Sequence, residues 1–270
     1  MIPFYKYQGA GNDFVMIDNR NNTYLTRTDT PLINRLCNRR FGIGGDGLIL
    51  LENHPDYDFE MVYFNADGTE GSLCGNGGRC TVAFAKQLGI IQTACSFLAI
   101  DGGHEATINA DGNWVELKMN DVHSIACNSD HYVLDTGSPH YVKYVDAVSQ
   151  MDVFKEGGAI RNNATYQKEG INVNFIEPIT KGFHIRTFER GVEDETLACG
   201  TGVTAAAISF ALEHPDKAAT LLQTGGIPAK AQGGDLKVRF TQNGQSFENI
   251  WLCGPATFVY SGEIEGVNLA

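Results

Sequence analysis

Residues 188–211 read FERGVEDETLACGTGVTAAAISFA, and residues 64–85 read FNADGTEGSLCGNGGRCTVAFA. Each stretch runs from a Phe and a polar residue through a loop into Cys-Gly-(Thr or Asn)-Gly and then a run of apolar and small residues. Cys74 and Cys199 therefore hold equivalent places in two similar units. Positions 203–212 are apolar or small nearly all round, and a helix without a polar face must be surrounded by protein. The expected fold is α+β (mixed α/β): two pseudo-symmetric lobes, each a curved, mostly antiparallel sheet wrapped around a central helix that starts just after its cysteine.

Outward from these stretches, the patterning predicts short strands at 4–8 and 14–18 around a Gly-rich turn, and a helix from Asp29 or Thr30 to about Arg40 with Pro31 in its first turn. Further strands are expected at 48–51, 61–64, 96–100, 104–109 and 114–119, with the first Cys helix running from about Gly78 to Leu88 and ended by Gly89. The second half repeats the scheme: strands at 132–135, 141–145, 171–176 and 183–188, a helix at 153–161, and strands at 229–231, 236–241, 250–253 and 257–261. Lobe boundaries of 1–119 and 120–255 follow, with the C-terminal segment 256–270 returning to the first lobe.

The chain of 270 residues is 43% hydrophobic and 19% charged, the balance of a globular protein. Its net charge of −12 disfavours a nucleic-acid partner, since phosphate backbones are bound by clustered Lys and Arg. A membrane is not expected either, because no stretch of about 20 apolar residues is present. Seven cysteines, irregularly spaced, argue for a reducing compartment and a cytoplasmic location rather than a disulfide framework. Metal-ligand spacings are lacking, so no metal is expected. The motif at 42–47, GIGGDG, matches GxGxxG but lies after a helix and before a strand, the reverse of the order a dinucleotide site needs.

A cysteine at a helix start meets unpaired N–H groups and the positive end of the helix dipole, which lower a thiol's pKa below about 8.5. The adjoining glycines leave those N–H groups open to an anion. If the halves face each other, two such thiols can address one carbon from opposite sides, one as thiolate base and one as thiol acid, while the helix starts hold a carboxylate. That is the requirement of a cofactor-free racemase or epimerase acting on a small amino acid. Cys37, Cys80, Cys95, Cys127 and Cys253 lack the Gly-rich setting and are expected to be packing residues. A redox-sensing dithiol is the alternative from another class, separated by whether the reduced protein exchanges a substrate Cα proton.

Gly-Asn-Asp-Phe at 11–14, Phe-Asn-Ala-Asp-Gly at 64–68, Cys-Gly-Asn-Gly at 74–77, Ser-Pro-His at 138–140, Asn172, Glu-Arg-Gly at 189–191 and Ala-Cys-Gly-Thr-Gly at 198–202 together resemble the diaminopimelate epimerases along essentially the whole chain. The resemblance implies interconversion of LL- and meso-diaminopimelate with Cys74 and Cys199 as the acid/base pair. It makes Asn12, Asn65, Asn172, Glu189 and Arg190 substrate contacts, and it has Gly75, Asn76, Gly200 and Thr201 offering N–H groups or side chains. His140 and Glu189 would help set the protonation of a cysteine. Some members carry Gln where this chain has Gly47 and Asn where it has Ser138, and the 189–199 segment is one residue longer than 65–74. These departures touch recognition of the distal amino-acid centre, so a racemase of another amino acid on the same fold is the nearest rival. The oligomeric state is left open, a homodimer included.

Overall fold

The computed structural model describes residues 1–21, 24–71 and 74–265. The chain divides into two compact units, Met1–Leu117 with Gly254–Ala270, and Lys118–Cys253. In the first, β1 (Ile2–Gly9) and β2 (Asn12–Asp18) form a hairpin whose two turn residues, Ala10 and Gly11, both have positive φ, 52° and 84°. Helix α1 (Thr30–Cys37) crosses over to β3 (Gly47–Glu52), which lies parallel to β2. Strand β4 (Phe59–Asn65) returns antiparallel, and α2 (Gly75–Gln87) crosses to β5 (Ala94–Ala99), parallel to β4. Strands β6 (Gly102–Ile108) and β7 (Trp114–Lys118) follow as antiparallel neighbours.

The second unit begins with β8 (Ile125–Cys127), β9 (His131–Asp135) and β10 (Pro139–Tyr144), all antiparallel. Helix α3 (Val153–Arg161) crosses to β11 (Asn172–Ile179), parallel to β10; β12 (Gly182–Glu189) returns antiparallel, and the short β13 (Asp194–Thr196) folds onto it. Helices α4 (Gly200–Glu213) and α5 (Pro215–Gln223) lead to β14 (Ile227–Ala231), parallel to β12, and then to antiparallel β15 (Gly234–Asn243) and β16 (Ser246–Pro255). The last strand, β17 (Thr257–Ile264), pairs with β1.

Written out strand by strand, the ladders coincide. β17-β1-β2-β3-β4-β5-β6-β7 and β8-β9-β10-β11-β12-β14-β15-β16 share one succession: antiparallel, antiparallel, parallel, antiparallel, parallel, antiparallel, antiparallel. The C-terminal strand thus fills in the first unit the place that β8 holds in the second. Parallel neighbours need a crossover, and every parallel step in both units carries a helix. Residues 266–270, the end of the segment expected to return, lie outside the described residues.

The two Cys helices are buried along almost their whole length, α2 against β1, β2, β3, β4, β6 and β17, and α4 against β9, β10, β11, β12, β14 and β15. A sheet must curve to touch one helix with so many strands. The opposite face of each sheet is covered by the other crossover helix. Ile33, Leu36 and Cys37 of α1 pack on Val15, Ile17, Leu48, Leu50 and Val62, and Val153 of α3 packs on Val173, Phe175 and Phe188. β3 is therefore buried on both faces, which is why it reads as an unbroken apolar run. Hydroxyls inside the helices are satisfied within them: Thr81 donates to the Gly77 carbonyl at 2.8 Å, Thr204 to Gly200 at 3.1 Å and Ser209 to Ala206 at 2.9 Å.

Three expectations need correction. Helix α1 stops at Cys37 rather than near Arg40, because the Asn38 side chain accepts from the Arg40 and Phe41 N–H groups and turns the chain out of the helix. Helix α2 begins at Gly75, just after its cysteine as the repeated stretches imply, and not after Gly78 as the local patterning gave, so the glycines lie inside its first turn. Cys127 is exposed, not packed, whereas Cys37, Cys80, Cys95 and Cys253 are buried. Burial pushes the Cys37, Cys80 and Cys95 thiols up to about 12, which leaves them unreactive. Helix α5 and the short β8 and β13 carry no pattern strong enough to have announced them.

Candidate active site

Cys74 and Cys199 occupy the same position in their units. Each is the N-cap of its helix with extended backbone, φ −95° and ψ 118° at Cys74 and φ −109° and ψ 113° at Cys199. The first intrahelical bonds are Gly78 N–H to the Cys74 carbonyl, 2.7 Å, and Val203 N–H to the Cys199 carbonyl, 2.9 Å. The N–H groups at the start of each helix point along its axis and converge at its positive end. A carboxylate is the natural occupant of such a turn.

The side chains around the two sulfurs differ. In the first unit Asn12 comes from the β1–β2 hairpin, and its Oδ1 lies 3.4 Å from Cys74 Sγ and 3.4 Å from Asn76 Nδ2. Asn12 Nδ2 donates to the Asp46 carboxylate at 2.6 Å, and a carboxylate only accepts, so the amide orientation is fixed. Asp46 and Asp13 share Arg39, at 2.8 and 2.6 Å, and Asp13 also pairs with Lys6 at 2.6 Å. Burial alone would raise the Asp13 carboxyl, but Arg39 and Lys6 outweigh it and hold it below the usual carboxylate range. Arg79 lies wholly inside the unit, donating to Asn76 Oδ1 at 2.8 Å and to the Gly75 and Pro255 carbonyls at 3.3 and 3.4 Å. The side-chain amide of Asn76 is thus engaged by Arg79 and Asn12.

Asn65 stands apart from that set. It is exposed at the end of β4, where it accepts from the Tyr63 hydroxyl at 3.2 Å and approaches Thr69 Oγ1 at 3.4 Å. The Tyr63 ring also explains Gly47: a Cβ at position 47 would stand 2.6 Å from Tyr63 Cε2 and 2.5 Å from the Phe64 carbonyl, so no side chain fits there.

In the second unit Cys199 Sγ lies 3.4 Å from Thr201 Oγ1, Thr201 Oγ1 lies 3.3 Å from Ser138 Oγ, and Ser138 Oγ lies 3.0 Å from His140 Nε2. Behind the imidazole, Asn174 Nδ2 reaches His140 Nδ1 at 3.1 Å and the Tyr141 carbonyl at 3.0 Å, while Asn174 Oδ1 accepts from Thr187 at 2.9 Å. Gly202 permits this arrangement, since a Cβ there would come within 2.3 Å of Asn174 Oδ1. Asn172 donates to Ser138 Oγ and to the Pro139 carbonyl, both at 3.1 Å, and accepts from the Arg190 N–H at 2.9 Å. Glu189 accepts from Thr196 at 2.9 Å, and burial raises its carboxyl. The Arg190 guanidinium reaches the Glu169 carbonyl at 3.1 Å and is exposed. Asp46, Arg79, Asn174 and Thr187 went unremarked in the sequence; only the partners that the fold gives their side chains mark them.

His140 is fully buried, and that burial, with a smaller contribution from Arg190, pushes its pKa down to about 3. It is therefore a neutral donor, not a cation. The unfolded chain binds the His140 proton near pH 6.5 and the folded protein only near 3, so stability falls as pH drops through that window. The expected slope approaches about 1.4 kcal/mol per pH unit from this one group. Urea unfolding between pH 7 and 5 should show it, and His140→Gln should flatten the dependence; equal slopes in both proteins would contradict the assignment.

Among the described residues no group of three or more His, Cys, Asp or Glu is placed to hold a metal, and no helix is long and apolar enough to cross a membrane. Two α+β units of one ladder, each with a buried helix, define a fold class that solved structures share. A phenazine biosynthesis protein of the PhzF family from Bacillus anthracis superposes with a TM-score of 0.73 at 15% identity, covering 97% of this chain and 98% of its own. A probable proline racemase from Agrobacterium radiobacter, solved with bound carbonate, gives 0.69 at 16% identity, covering 100% and 94%. At those identities the likeness is one of fold. The family profile described as diaminopimelate epimerase matches residues 4–125 and 132–259, and the chain belongs to that family. Diaminopimelate epimerases of Flavobacterium psychrophilum and Chlorobaculum tepidum are 50% and 45% identical to it, over 97% and 95% of this chain and 100% and 98% of theirs.

Proposed function

We infer that this protein is an isomerase that interconverts LL- and meso-2,6-diaminopimelate, with Cys74 and Cys199 as its acid/base pair and no cofactor taking part. Membership of the family supports the activity, and the observation that carries the chemistry is the pair of cysteines at matching helix starts. In this reading one thiolate takes the substrate's Cα proton and the other thiol delivers a proton to the opposite face. The N–H groups of Gly75, Asn76, Gly200 and Thr201 hold the α-carboxylate as charge grows on it, which is where such donors contribute most. Asn12 and Asn172 border the reacting centre through Cys74 and Ser138, and Glu189 and Arg190 at the end of β12 receive polar groups of the substrate. Asn65 is assigned to substrate contact through its exposed amide.

The test is to incubate the reduced protein with LL-diaminopimelate in D2O and follow Cα deuteration and the appearance of the meso isomer by NMR. Deuterated meso product is the expected result. Absence of exchange with this substrate, alongside exchange with another amino acid, would move the reading to that amino acid's racemase.

A further inference from the structure

The hydrogen bonds behind Cys199 run in one direction, from Asn174 through His140, Ser138 and Thr201 to the sulfur. Asn174 Oδ1 accepts from Thr187, and its Nδ2 faces the Tyr141 carbonyl, which only accepts; the second Nδ2 hydrogen therefore goes to His140 Nδ1. A neutral imidazole that accepts at Nδ1 carries its proton on Nε2 and donates it to Ser138 Oγ. Ser138 Oγ also accepts from Asn172 Nδ2, whose orientation is set by the Pro139 carbonyl and the Arg190 N–H. With both lone pairs occupied, the Ser138 hydrogen points to Thr201 Oγ1, and the Thr201 hydrogen in turn points to Cys199 Sγ. At Cys74 the direction is opposite: Asn12 presents Oδ1, an acceptor, and the thiol is the donor.

We propose that Ser138 and Thr201 are positioning residues that aim a hydroxyl proton at Cys199 and thereby make it the resting thiolate, while Asn12, oriented by Asp46, keeps the proton on Cys74. The proposal rests on the two-thiol reading above and removes its symmetry: the free enzyme is ready for the stereoisomer whose Cα hydrogen faces Cys199. Protonating Cys199 reduces its sulfur to a weak acceptor and so weakens the bond from the Thr201 hydroxyl, whereas ionising Cys74 removes the hydrogen it donates to Asn12 and sets a negative sulfur against the amide oxygen. The charged and titratable groups at this end of the unit lie on β9, β10, β12 and β13 and the turn between the last two. Among the described residues they are His140 on β10, Asp135 at the end of β9 with its carboxylate on the Gly137 N–H, Glu189 and Arg190 at the end of β12, and, on the adjoining turn and β13, Glu193 paired with Arg161, Asp194, and Glu195 paired with Arg186. β11 presents the uncharged Asn172 and Asn174, and β14 pairs at the far end of β12, at Phe183 and His184.

The experiment is the pH dependence of iodoacetamide alkylation at each cysteine of the intact protein, followed by peptide mass spectrometry without substrate. Cys199 is expected to alkylate with the lower pH midpoint of the two. Thr201→Val removes the aimed hydroxyl and should raise the Cys199 midpoint by about one pH unit, about tenfold in rate at a fixed pH below it. Thr201→Ser should restore the wild-type midpoint, and Ser138→Ala should shift it in the same direction as Thr201→Val by a smaller amount. A lower midpoint at Cys74, or a Cys199 profile unmoved in both Thr201→Val and Ser138→Ala, would overturn the proposal. The readout needs no turnover, so failure of the epimerase reading would show separately, as absence of Cα exchange with normal thiol titrations.

Discussion

Replacing Cys74 by Ala, or Cys199 by Ala, is expected to reduce epimerisation of diaminopimelate by at least about a thousandfold, the scale of losing a positioned general acid or base. Inversion needs a proton acceptor on one face and a donor on the other, so neither thiol can substitute for its partner. The half-reactions should survive selectively. A variant that retains the base facing a given Cα hydrogen can still exchange that hydrogen with D2O, for one stereoisomer only, and the other variant should show the mirror preference. Cys→Ser at either position should also be strongly impaired, because an alcohol is far too weak an acid to supply an anionic base near neutral pH. NMR of both stereoisomers with each purified variant checks the whole pattern. An undiminished rate of inversion in either Ala variant would leave one thiol working alone and remove the two-base mechanism.

Arg79→Ala should be the most destabilising single change near the site, by about 4 kcal/mol, from a cavity and stranded acceptors together. The side chain is 0% exposed, so its removal leaves a hole that the close-packed strands around α2 cannot collapse to fill. Its guanidinium also serves the Gly75 and Pro255 carbonyls and Asn76 Oδ1, all within the same unit. Asn76 would lose the donor that fixes its amide, and with it the contact to Asn12 beside Cys74. Urea denaturation should show the loss, and activity measured well below the transition should fall as well. A variant within about 1 kcal/mol of the parent, inside the ordinary range of surface changes, would mean that Arg79 is merely a filler.

The repeated stretches at 64–85 and 188–211 sufficed to read the fold class, the position of both Cys helices and the burial of α4, because those features are set by local patterning: glycines after a cysteine, then a helical run with no polar face. Strand positions were legible for the same reason, alternation or unbroken apolarity over a few residues. The end of α1 was not, since a side-chain bond from Asn38 to two N–H groups competes with helix continuation and leaves no mark in periodicity. Nor could the 65–74 and 189–199 loops be told apart in role: Asn65 closes a turn with Thr69, whereas Glu189 is half-buried against Thr196.

By itself the sequence determined that two equivalent cysteines open two buried helices. Only the tertiary structure decided that they are chemically unlike. Cys74 meets its acceptor Asn12 across 62 residues of chain, and Thr201, the donor beside Cys199, is aimed by Ser138 from 63 residues away. Hydrogen-bond direction depends on which groups the fold brings within about 3.5 Å and on which of their protons are already committed, and no local window of sequence contains both partners.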